Sequence, residues 1–338
     1  MKKKLITIKD VSKKSGFSIT TVSRALGDFD DVNIETKKYI KKVAKELGYF
    51  RNKNAVSLVK RQNRSIGLIV SGLERDGGKD NIFYSLMSGM YHYAETIDYE
   101  VLIYTTNSAQ QQKISYIQFC MENNIAGAIL NGIRKDDPFL QELFESEIPT
   151  VLIDVNIPSS KAASVSVDNV QAACDAVTYL IQRGLTRIGM ISGRKEAFVS
   201  QLRLDGYLKA IKENNLKVDY SLIKTANFNM EQAYHETIDL LNEHPNLQAI
   251  FCASDLMAFG AYKGIKEKGF VIGKDISVIG FDDIPLAQYM DPPLTTVCQD
   301  FYLMGYKAAA ELIHIVNGES VPQHHVLEHH LIVRESTK

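Results

Sequence analysis

The sequence has no long hydrophobic segment. Uninterrupted apolar stretches such as residues 66–70 and 256–262 are five to seven residues long and include a glycine, whereas a helix needs about 20 apolar residues to cross a bilayer. The N-terminus is basic and then carries further charges where an export signal needs a long apolar core. We therefore expect a cytoplasmic protein with no membrane partner.

Closely spaced cysteine pairs are also missing. The four cysteines are tens of residues apart and form no CxxC pair; they are Cys120, Cys174, Cys252 and Cys298. This spacing argues against a zinc cluster and against a dense disulfide framework. Buried, reduced cysteines are the expected alternative.

The net charge of the whole chain is close to zero, but the charges are distributed unevenly along it. Of the 39 basic and 40 acidic residues, residues 1–64 hold 17 basic and 6 acidic ones, and residues 65–338 hold 22 and 34. A strongly basic arm therefore precedes an acidic body. The length of 338 residues predicts two or three domains, and 45% apolar with 23% charged residues is typical of globular proteins.

The basic arm has the pattern of three short helices within residues 7–48. Thr7 and Asp10 have the spacing of a helix-start capping box, and Gly16 before Ser18 predicts one helix end and the next helix start. Apolar residues recur at helical spacing in 19–26 and 34–47. Two helices joined by a tight turn indicate a helix-turn-helix.

The second helix presents a surface suited to a DNA major groove. Its hydroxyl side chains can meet base edges or phosphates, Ile19 can pack on a thymine methyl group, and Arg24 can donate two hydrogen bonds to guanine. The alternative is a solvated, lysine-rich bundle without a ligand. The excess of basic residues in this arm favours nucleic acid.

These residues resemble a known family. The segments 7–11, 16–18, 21–26 and 44–49 resemble the headpiece of the lactose/galactose repressor (LacI/GalR) family of bacterial transcription regulators. The resemblance implies that Ile19, Thr20 and Arg24 read bases. It implies that phosphates are held by Ser18, Thr21, Ser23, Asn33 and Tyr49, and we add Thr7 and Asn52 to the expected DNA contacts. The sequence departs from the family pattern at Gly27 and at Asp31, which places a negative charge near the DNA.

Residues 52–60 are too few to form a stable isolated helix in water, but such a segment can become ordered on binding. In the family this stretch becomes a hinge helix in the minor groove. Ala55 and Leu58 match the small residue and the leucine wedge that opens a base step. A plain charged linker is the alternative.

The acidic body alternates short apolar runs with helical patterns. The first series is predicted to form four βα units with one parallel sheet. Its strands are expected at 65–71, 100–104, 126–131 and 150–154, and the helices between them near 82–97, 109–123 and 137–145. A second series has strands 187–192, 249–253 and 277–282, with helices near 169–183, 200–214, 230–243 and 255–268, and the last strand is expected at 326–333. Two doubly wound halves imply a ligand cleft beyond the carboxyl ends of their strands.

Charged residues stand where those strands end or, for Arg203, at the head of the helix that follows strand 187–192. Asp154, Arg203, Asp255 and Asp282 can grip neighbouring hydroxyl groups, and Phe83, Phe228 and Phe301 can supply a stacking face. For Asp255, the better interpretation is stabilisation of a helix N-terminus. This combination of charged and aromatic side chains is typical of a sugar-binding site.

The resemblance extends through this body, on the segments 254–261, 275–283 and 292–301, to the family's effector domain, which is similar to periplasmic sugar-binding proteins. It implies effector contacts from Ser71, Asp154, Arg203, Phe228, Asp282, Gln299 and Phe301. The expected fold is a small all-α helix-turn-helix headpiece joined to an α/β periplasmic-binding-protein-like body with two doubly wound parallel-sheet subdomains.

The expected domains follow from this assignment. They are a headpiece at 1–50, a hinge helix or linker at 51–64 and an effector-binding and dimerisation domain at 65–338. Within the last, we expect a first subdomain at about 65–163 plus 298–325 and a second at about 164–297 plus 326–338.

Three further motifs are weak. Residues 269–275 lack the spacing and the hydroxyl residue of a phosphate-binding loop, and 189–193 place serine one step away from the GxSxG pattern. The histidine pairs at 324–325 and 329–330 are more typical of surface than of a metal site. We expect no catalytic residue, no metal and no cofactor.

The sequence therefore predicts a dimeric repressor of carbohydrate-utilisation genes, controlled by a sugar or sugar phosphate and bound to a palindromic operator. Two alternatives are a small-molecule sensor without specific DNA recognition and a sugar-processing enzyme. A nucleobase or a phosphoprotein corepressor remains open as the effector, as does the choice between inducer and corepressor.

Overall fold

The computed structural model describes residues 7–47, 49, 64–71, 80–106, 115–155 and 162–338. The chain divides into two compact units, Met1–Asn63 and Arg64–Lys338. Each unit has its own hydrophobic core. We call the first unit the headpiece and the second the body.

Three helices make up the described part of the headpiece: α1 (Ile8–Ser15), α2 (Ile19–Leu26) and α3 (Ile34–Leu47). Residues at helical spacing on all three helices, together with Val32 from the loop before α3, form one core, comprising Val11, Val22, Ala25, Val32, Ile40, Val43 and Ala44. Burying this stripe stabilises helices that would be marginal alone, because α1 and α2 have only eight residues each.

Local capping fixes the turn between α1 and α2. The Asp10 carboxylate accepts hydrogen bonds from the Thr7 amide at 2.8 Å and from its hydroxyl at 2.7 Å. Gly16 ends α1 in the left-handed conformation, with φ of 76°, which glycine adopts without steric cost. Ser18 then caps α2 by accepting the Thr21 amide at 3.1 Å. These caps agree with the sequence-based expectation.

The body alternates strands and helices. Its strands are β1 (Ser65–Ser71), β2 (Glu100–Thr106), β3 (Gly127–Asn131), β4 (Thr150–Ile153), β5 (Ala162–Val167), β6 (Ile188–Ser192), β7 (Ile223–Thr225), β8 (Ala249–Cys252), β9 (Ser277–Asp282), β10 (Thr295–Gln299), β11 (His324–Leu327) and β12 (His329–Ile332). Its helices are α4 (Asp80–Thr96), α5 (Tyr116–Glu122), α6 (Leu140–Glu145), α7 (Asn169–Gln182), α8 (Phe198–Glu213), α9 (Met230–Glu243), α10 (Asp255–Glu267) and α11 (Phe301–Val316).

Two six-stranded sheets organise these elements. The first has the order β11-β5-β4-β3-β1-β2 and is parallel throughout; the second has the order β12-β10-β9-β8-β6-β7, in which only β12 is antiparallel to its neighbour. Most central strands are fully buried, which explains their continuous apolar sequences. We call each sheet with its helices a subdomain.

The chain crosses between the subdomains three times, at Asp168, Asp300 and Glu328. The carboxylates of Asp168 and Asp300 cap α7 and α11 by accepting backbone amides at 2.9 and 2.8 Å. The crossings lie three to five residues later than the subdomain boundaries expected near 163, 297 and 325. Each strand belongs to one sheet over its whole length, so the chain changes subdomain only where a strand has ended.

Three details of the sheets differ from the sequence prediction. The expected strand 326–333 is two strands, broken at Glu328, and they belong to different sheets. The first sheet holds six strands instead of four, because β5 and β11 join it. The helix expected at 109–123 begins at Tyr116, and residues 107–114 lie outside the described part.

Candidate ligand cleft and nucleic-acid interface

The exposed face of α2 carries most of the expected base-reading residues. Ser18, Ile19 and Thr20 are exposed, with Ile19 45% accessible to solvent, although an isoleucine in a core-forming helix would normally be buried. Thr21, Ser23 and Arg24 are half-buried at the border of this face. The described headpiece therefore presents one polar helix surface with a single apolar side chain, as major-groove recognition requires.

The remaining expected DNA contacts divide into two groups. Asn33 caps the start of α3 by accepting the Glu35 amide at 2.8 Å, and Tyr49 packs against the headpiece core. Asn52, Ala55 and Leu58 lie outside the described residues. Their assignment to the hinge stays a prediction from the sequence.

In the body, Arg203 is the centre of a buried polar network. It lies on α8 and is 3% exposed. Its Nε donates to the Asn169 side chain at 2.9 Å, and a terminal nitrogen donates to the Ala253 carbonyl at 2.6 Å. The same nitrogen lies 3.6 Å from the Asp282 carboxylate, and the guanidinium covers the Phe281 ring at 3.8 Å. The guanidinium plane is thus fixed from several sides.

This network extends into both subdomains. The Gln299 amide donates to Asp282 at 2.8 Å, since their strands β9 and β10 are neighbours and end together. On the other side, Asn169 donates to Asp154 at 3.4 Å. Asp154 directly follows β4 of the first sheet. Four of the predicted effector residues, Asp154, Arg203, Asp282 and Gln299, therefore belong to one connected set.

Two buried polar atoms in this region have no hydrogen-bond partner among the described residues. The Gln299 Oε1 atom is buried and accepts no hydrogen bond from any described residue. The hydroxyl of Ser200, on the same face of α8 as Arg203, is also buried and without a partner among them. Such groups cost free energy unless a ligand or water satisfies them.

The charge of Asp154 is influenced by both burial and Arg203. Burial raises the pKa of the Asp154 carboxyl, while the Arg203 charge and the hydrogen bond from Asn169 oppose that rise. A carboxylate in this setting gains from hydroxyl donors, which stabilise its charged form.

Backbone strain also concentrates at these strand ends. Asp154 has φ of 58°, Asp282 has 117° and Phe228 has 62°. Residues with a side chain rarely adopt such angles, and where they do the site is often functional. Three of the predicted contact positions therefore have strained backbone conformations.

The aromatic residues take different places. The Phe228 ring lies over Gly193, where a Cβ atom would come within 2.2 Å of it, so this ring covers the ends of β6 and β7. Phe83 and Phe301 pack against the core of the first subdomain. Phe301 and Gln299 also line a cavity of about 630 Å³ whose wall does not include Arg203. For Ser71 only the backbone is described, at the last position of β1.

The carboxylate of Asp255, which the sequence offers as an effector contact, is engaged within the fold. It is fully buried. One carboxylate oxygen accepts the Ile284 amide at 2.8 Å and the other accepts the Thr296 hydroxyl at 2.5 Å. Ser254, rather than Asp255, caps α10 by accepting the Met257 amide. Asp255 instead joins the start of α10 to β10 and to the loop after β9.

This burial predicts a pH dependence of stability. Burial, and next the charge of Asp282, raise the pKa of Asp255 well above 3.8. Its stabilising contribution is complete below the unfolded pKa and is lost as pH rises through the folded pKa, where the native state must bury a charge. Relative to wild type, Asp255→Asn should therefore lose less stability as pH rises from about 4 towards 8.

Thermal unfolding midpoints measured across that pH range test this expectation. Asp239→Asn, which removes an exposed carboxyl group from the same subdomain, should give a profile parallel to that of wild type. A profile of Asp255→Asn that is also parallel would contradict the role assigned to the buried group.

The subdomains make a second contact away from the network. The Lys135 amide, from the loop after β3, donates to the Glu196 carbonyl before α8 at 2.8 Å. Arg134 and Ala197 form a single antiparallel bridge beside it, and Phe198 packs against the core of the first subdomain. These contacts hold the two halves of the cleft together in this conformation.

Two residues of the network region, Asn169 and Ser200, were missed by the sequence analysis. Asn169 follows β5, a strand that the sequence analysis did not assign. Recognising a strand at 162–167 would have placed a polar residue at another carboxyl end. No comparable signal identifies Ser200.

Among the residues that the structure describes, no three His, Cys, Asp or Glu side chains converge as metal ligands. Within the same ranges, no helix has the length and hydrophobicity needed to cross a bilayer.

Comparison with known proteins agrees with this architecture. Residues 7–52 match the family model described as bacterial regulatory proteins, lacI family, and residues 177–337 match that of a periplasmic binding protein-like domain. The chain is 34% identical to the HTH-type transcriptional repressor CytR of Escherichia coli K12, over 98% of this chain and 96% of the other.

Two solved structures match along nearly the whole chain. The lac repressor dimer bound to operator and the anti-inducer ONPF is 25% identical, covers 99% of both chains and has a TM-score of 0.88. A complex of the transcriptional regulator CelR with cellobiose is 27% identical, covers 98% of this chain and 99% of that one, and has a TM-score of 0.75. The fold class predicted from the sequence is confirmed. With a helix-turn-helix headpiece, a two-subdomain body and this similarity over almost its full length, the chain belongs to the lacI family of bacterial regulatory proteins.

Proposed function

We propose that this DNA-binding transcription regulator is a homodimer that binds a palindromic operator, and that a small sugar or sugar phosphate controls its affinity. A single short recognition helix reads few bases, and a two-fold dimer places two of them one helical turn apart. Operator binding implies a cytoplasmic protein. We propose that the protein is not an enzyme and uses no cofactor, and that it represses carbohydrate-utilisation genes.

The observation that carries the sugar proposal is the polar network between the subdomains. Asp154 and Asp282 offer carboxylate oxygens to hydroxyl donors, and the Arg203 guanidinium lies beside them, 3.6 Å from the Asp282 carboxylate. Buried Gln299 Oε1 lacks a donor among them. Adjacent sugar hydroxyls each supply one donor and two acceptors, which matches this set. Phe228 supplies an apolar face for a sugar ring.

The coupling between sites follows from the position of the network. A sugar that contacts Asp154 and Arg203 together favours one arrangement of the two subdomains over others. We propose that this arrangement changes the hinge at 51–64, where Ala55 and Leu58 enter the minor groove. Sugar binding and operator binding then influence each other by the same free energy, with opposite signs for an inducer and a corepressor.

A gel-shift titration tests this function. DNA sites are first selected by the full-length protein from a random pool, and then titrated with a panel of pentoses, hexoses, their phosphates and disaccharides. We expect one sugar class to change operator affinity by at least about tenfold, within the usual range of allosteric coupling. Affinity for random DNA should change little, because it depends mainly on phosphate neutralisation.

Two results would contradict the proposal in different ways. If no sequence is enriched from the pool, the protein lacks specific DNA recognition and acts as a sensor only. If a site is enriched but no sugar or sugar phosphate alters its affinity, the effector assignment is wrong while the regulator assignment stands.

A further inference from the structure

The loop after α2 holds the side chain of the expected base-reading arginine. A terminal nitrogen of Arg24 lies 2.6 Å from the Asp31 carboxylate, and the guanidinium carbon lies 4.9 Å from the centre of the Phe29 ring. The loop is itself tied to the helix end, since the Phe29 amide donates to the Arg24 carbonyl at 3.2 Å. Arg24 is thus held by one charge and one aromatic face.

This ion pair is poorly suited to stabilising the fold. The side chains of Arg24 and Asp31 are 44% and 54% exposed, and pairs exposed to that degree contribute little to folding stability. Its effect lies in the conformation of Arg24. A free arginine side chain samples many rotamers, and fixing one of them before binding lowers the entropic cost of recognition.

The pair leaves Arg24 able to read a base. Each terminal nitrogen of a guanidinium carries two hydrogens, so a contact from one nitrogen to Asp31 leaves donors for the two acceptors of a guanine edge. The Nε atom is buried and makes no hydrogen bond to the described residues, whereas the side chain as a whole is 44% exposed. A phosphate, by contrast, would have to compete with the Asp31 carboxylate for the same positive charge.

We propose that Asp31 is a specificity-determining positioning residue, which holds Arg24 in the orientation that reads guanine and weakens its attraction to phosphates. The inference rests on the proposed function of specific DNA binding. It gives a role to the negative charge that departs from the family pattern in this loop. Asp31 acts through Arg24 and needs no contact with a base itself.

Asp28 provides a matched control. It lies in the same loop and pairs with Lys41 at 2.7 Å, so Asp28→Asn removes the same charge from another ion pair. Its φ of 60° is tolerated by asparagine. Both variants make the headpiece more positive by one charge, and only Asp31→Asn releases Arg24.

The test uses the full-length protein and DNA selected from a random pool. The guanine that depends on Arg24 is the position whose preference disappears with Arg24→Ala. Gel shifts then compare the selected site, the same site with that base pair replaced, and random DNA. We expect Asp31→Asn to reduce discrimination at that base pair about tenfold, which is within the range for a bidentate arginine contact.

Affinity for random DNA should rise about threefold in both Asp31→Asn and Asp28→Asn, because each removes a negative charge near the phosphates. Asp28→Asn should keep wild-type discrimination. In the Arg24→Ala background, Asp31→Asn should change discrimination no further, since the residue it positions is gone. Asp31→Ala should reproduce the effect of Asp31→Asn.

If Asp31→Asn and Asp31→Ala both discriminate at that base pair as well as wild type does, the positioning role is wrong. An equal loss of discrimination in Asp28→Asn would also overturn it, by showing a general effect of charge. If the wild-type protein enriches no sequence, the proposed regulator function fails, and this inference fails with it; that result is recognised because the selected pool stays random.

Discussion

Arg203→Lys should abolish the response of operator binding to the effector. We expect effector affinity to fall by about 30-fold or more, because disrupting a buried, hydrogen-bonded charge costs about 2–5 kcal/mol. Lysine keeps the charge, but its ammonium group cannot reproduce the planar fork that serves Asn169 and Ala253 together. Isothermal titration with the sugar that emerges from the panel measures this loss directly.

Operator affinity without effector should stay within about threefold of wild type, because Arg203 lies in the body and DNA affinity comes chiefly from phosphate contacts of the basic arm. The matched control is Arg187→Lys. Arg187 is in the same subdomain but pairs with Asp219 at 3.5 Å and contacts His244, away from the network. This control should respond normally to the effector.

A normal response in Arg203→Lys would remove Arg203 from the effector site. A combined loss of effector response, operator binding and thermal stability would show instead that the residue is needed for folding. The unfolding midpoint of each variant therefore accompanies the binding measurements.

Gly305→Ala should have the largest effect on stability. Gly305 lies where α11 crosses α4, and an added Cβ atom would come within 1.9 Å of the Leu86 carbonyl oxygen. Gly89 meets the Tyr302 carbonyl oxygen at the same distance from the opposite helix. Because both obstacles are backbone atoms, no rotamer change relieves the clash, and the helices must separate.

We expect the unfolding midpoint to fall by about 6–12 °C, since overpacking of about 3 kcal/mol shifts the midpoint by about 2–4 °C per kcal/mol in domains of this size. Differential scanning calorimetry measures the change. Because α11 begins two residues after Gln299, the folded fraction of this variant should also bind effector more weakly.

Gly264→Ala is the control. Gly264 lies within α10, and its added Cβ atom would be 3.0 Å from the Tyr234 carbonyl oxygen. This contact is tight, yet alanine gains up to about 1 kcal/mol over glycine inside a helix, so the midpoint should move by less than about 2 °C. Equal shifts in the two variants would contradict the close-packing account of the α4–α11 crossing.

The headpiece shows how far local sequence patterns determine structure. Its helix ends follow from Thr7, Gly16 and Ser18, whose capping partners are within five residues. Its core follows from apolar residues at helical spacing. These are short-range interactions, so each could be predicted from neighbouring positions alone. The pairing of Arg24 with Asp31 could not, because it depends on how the loop turns back over α2.

The ligand cleft was predictable to a smaller extent. Parallel strands place their carboxyl ends at one edge, so Asp154 and Asp282, and Arg203 in the helix after β6, were recognisable as candidates before any contact was known. The same reasoning also selected Asp255, whose oxygens are used by Ile284 and Thr296. Whether a carboxylate faces a ligand or the interior depends on partners far away in sequence.

The sequence by itself therefore determined the helix-turn-helix, the charge difference between headpiece and body, and most strands and helices, because these depend on composition and on neighbouring residues. Only the tertiary structure decided where the chain crosses between subdomains, which strand ends contribute to the network, and which charges stay available. Asn169 illustrates the difference: its role arises from contacts with Asp154 and Arg203, 15 and 34 residues away, which only packing of the two sheets brings together.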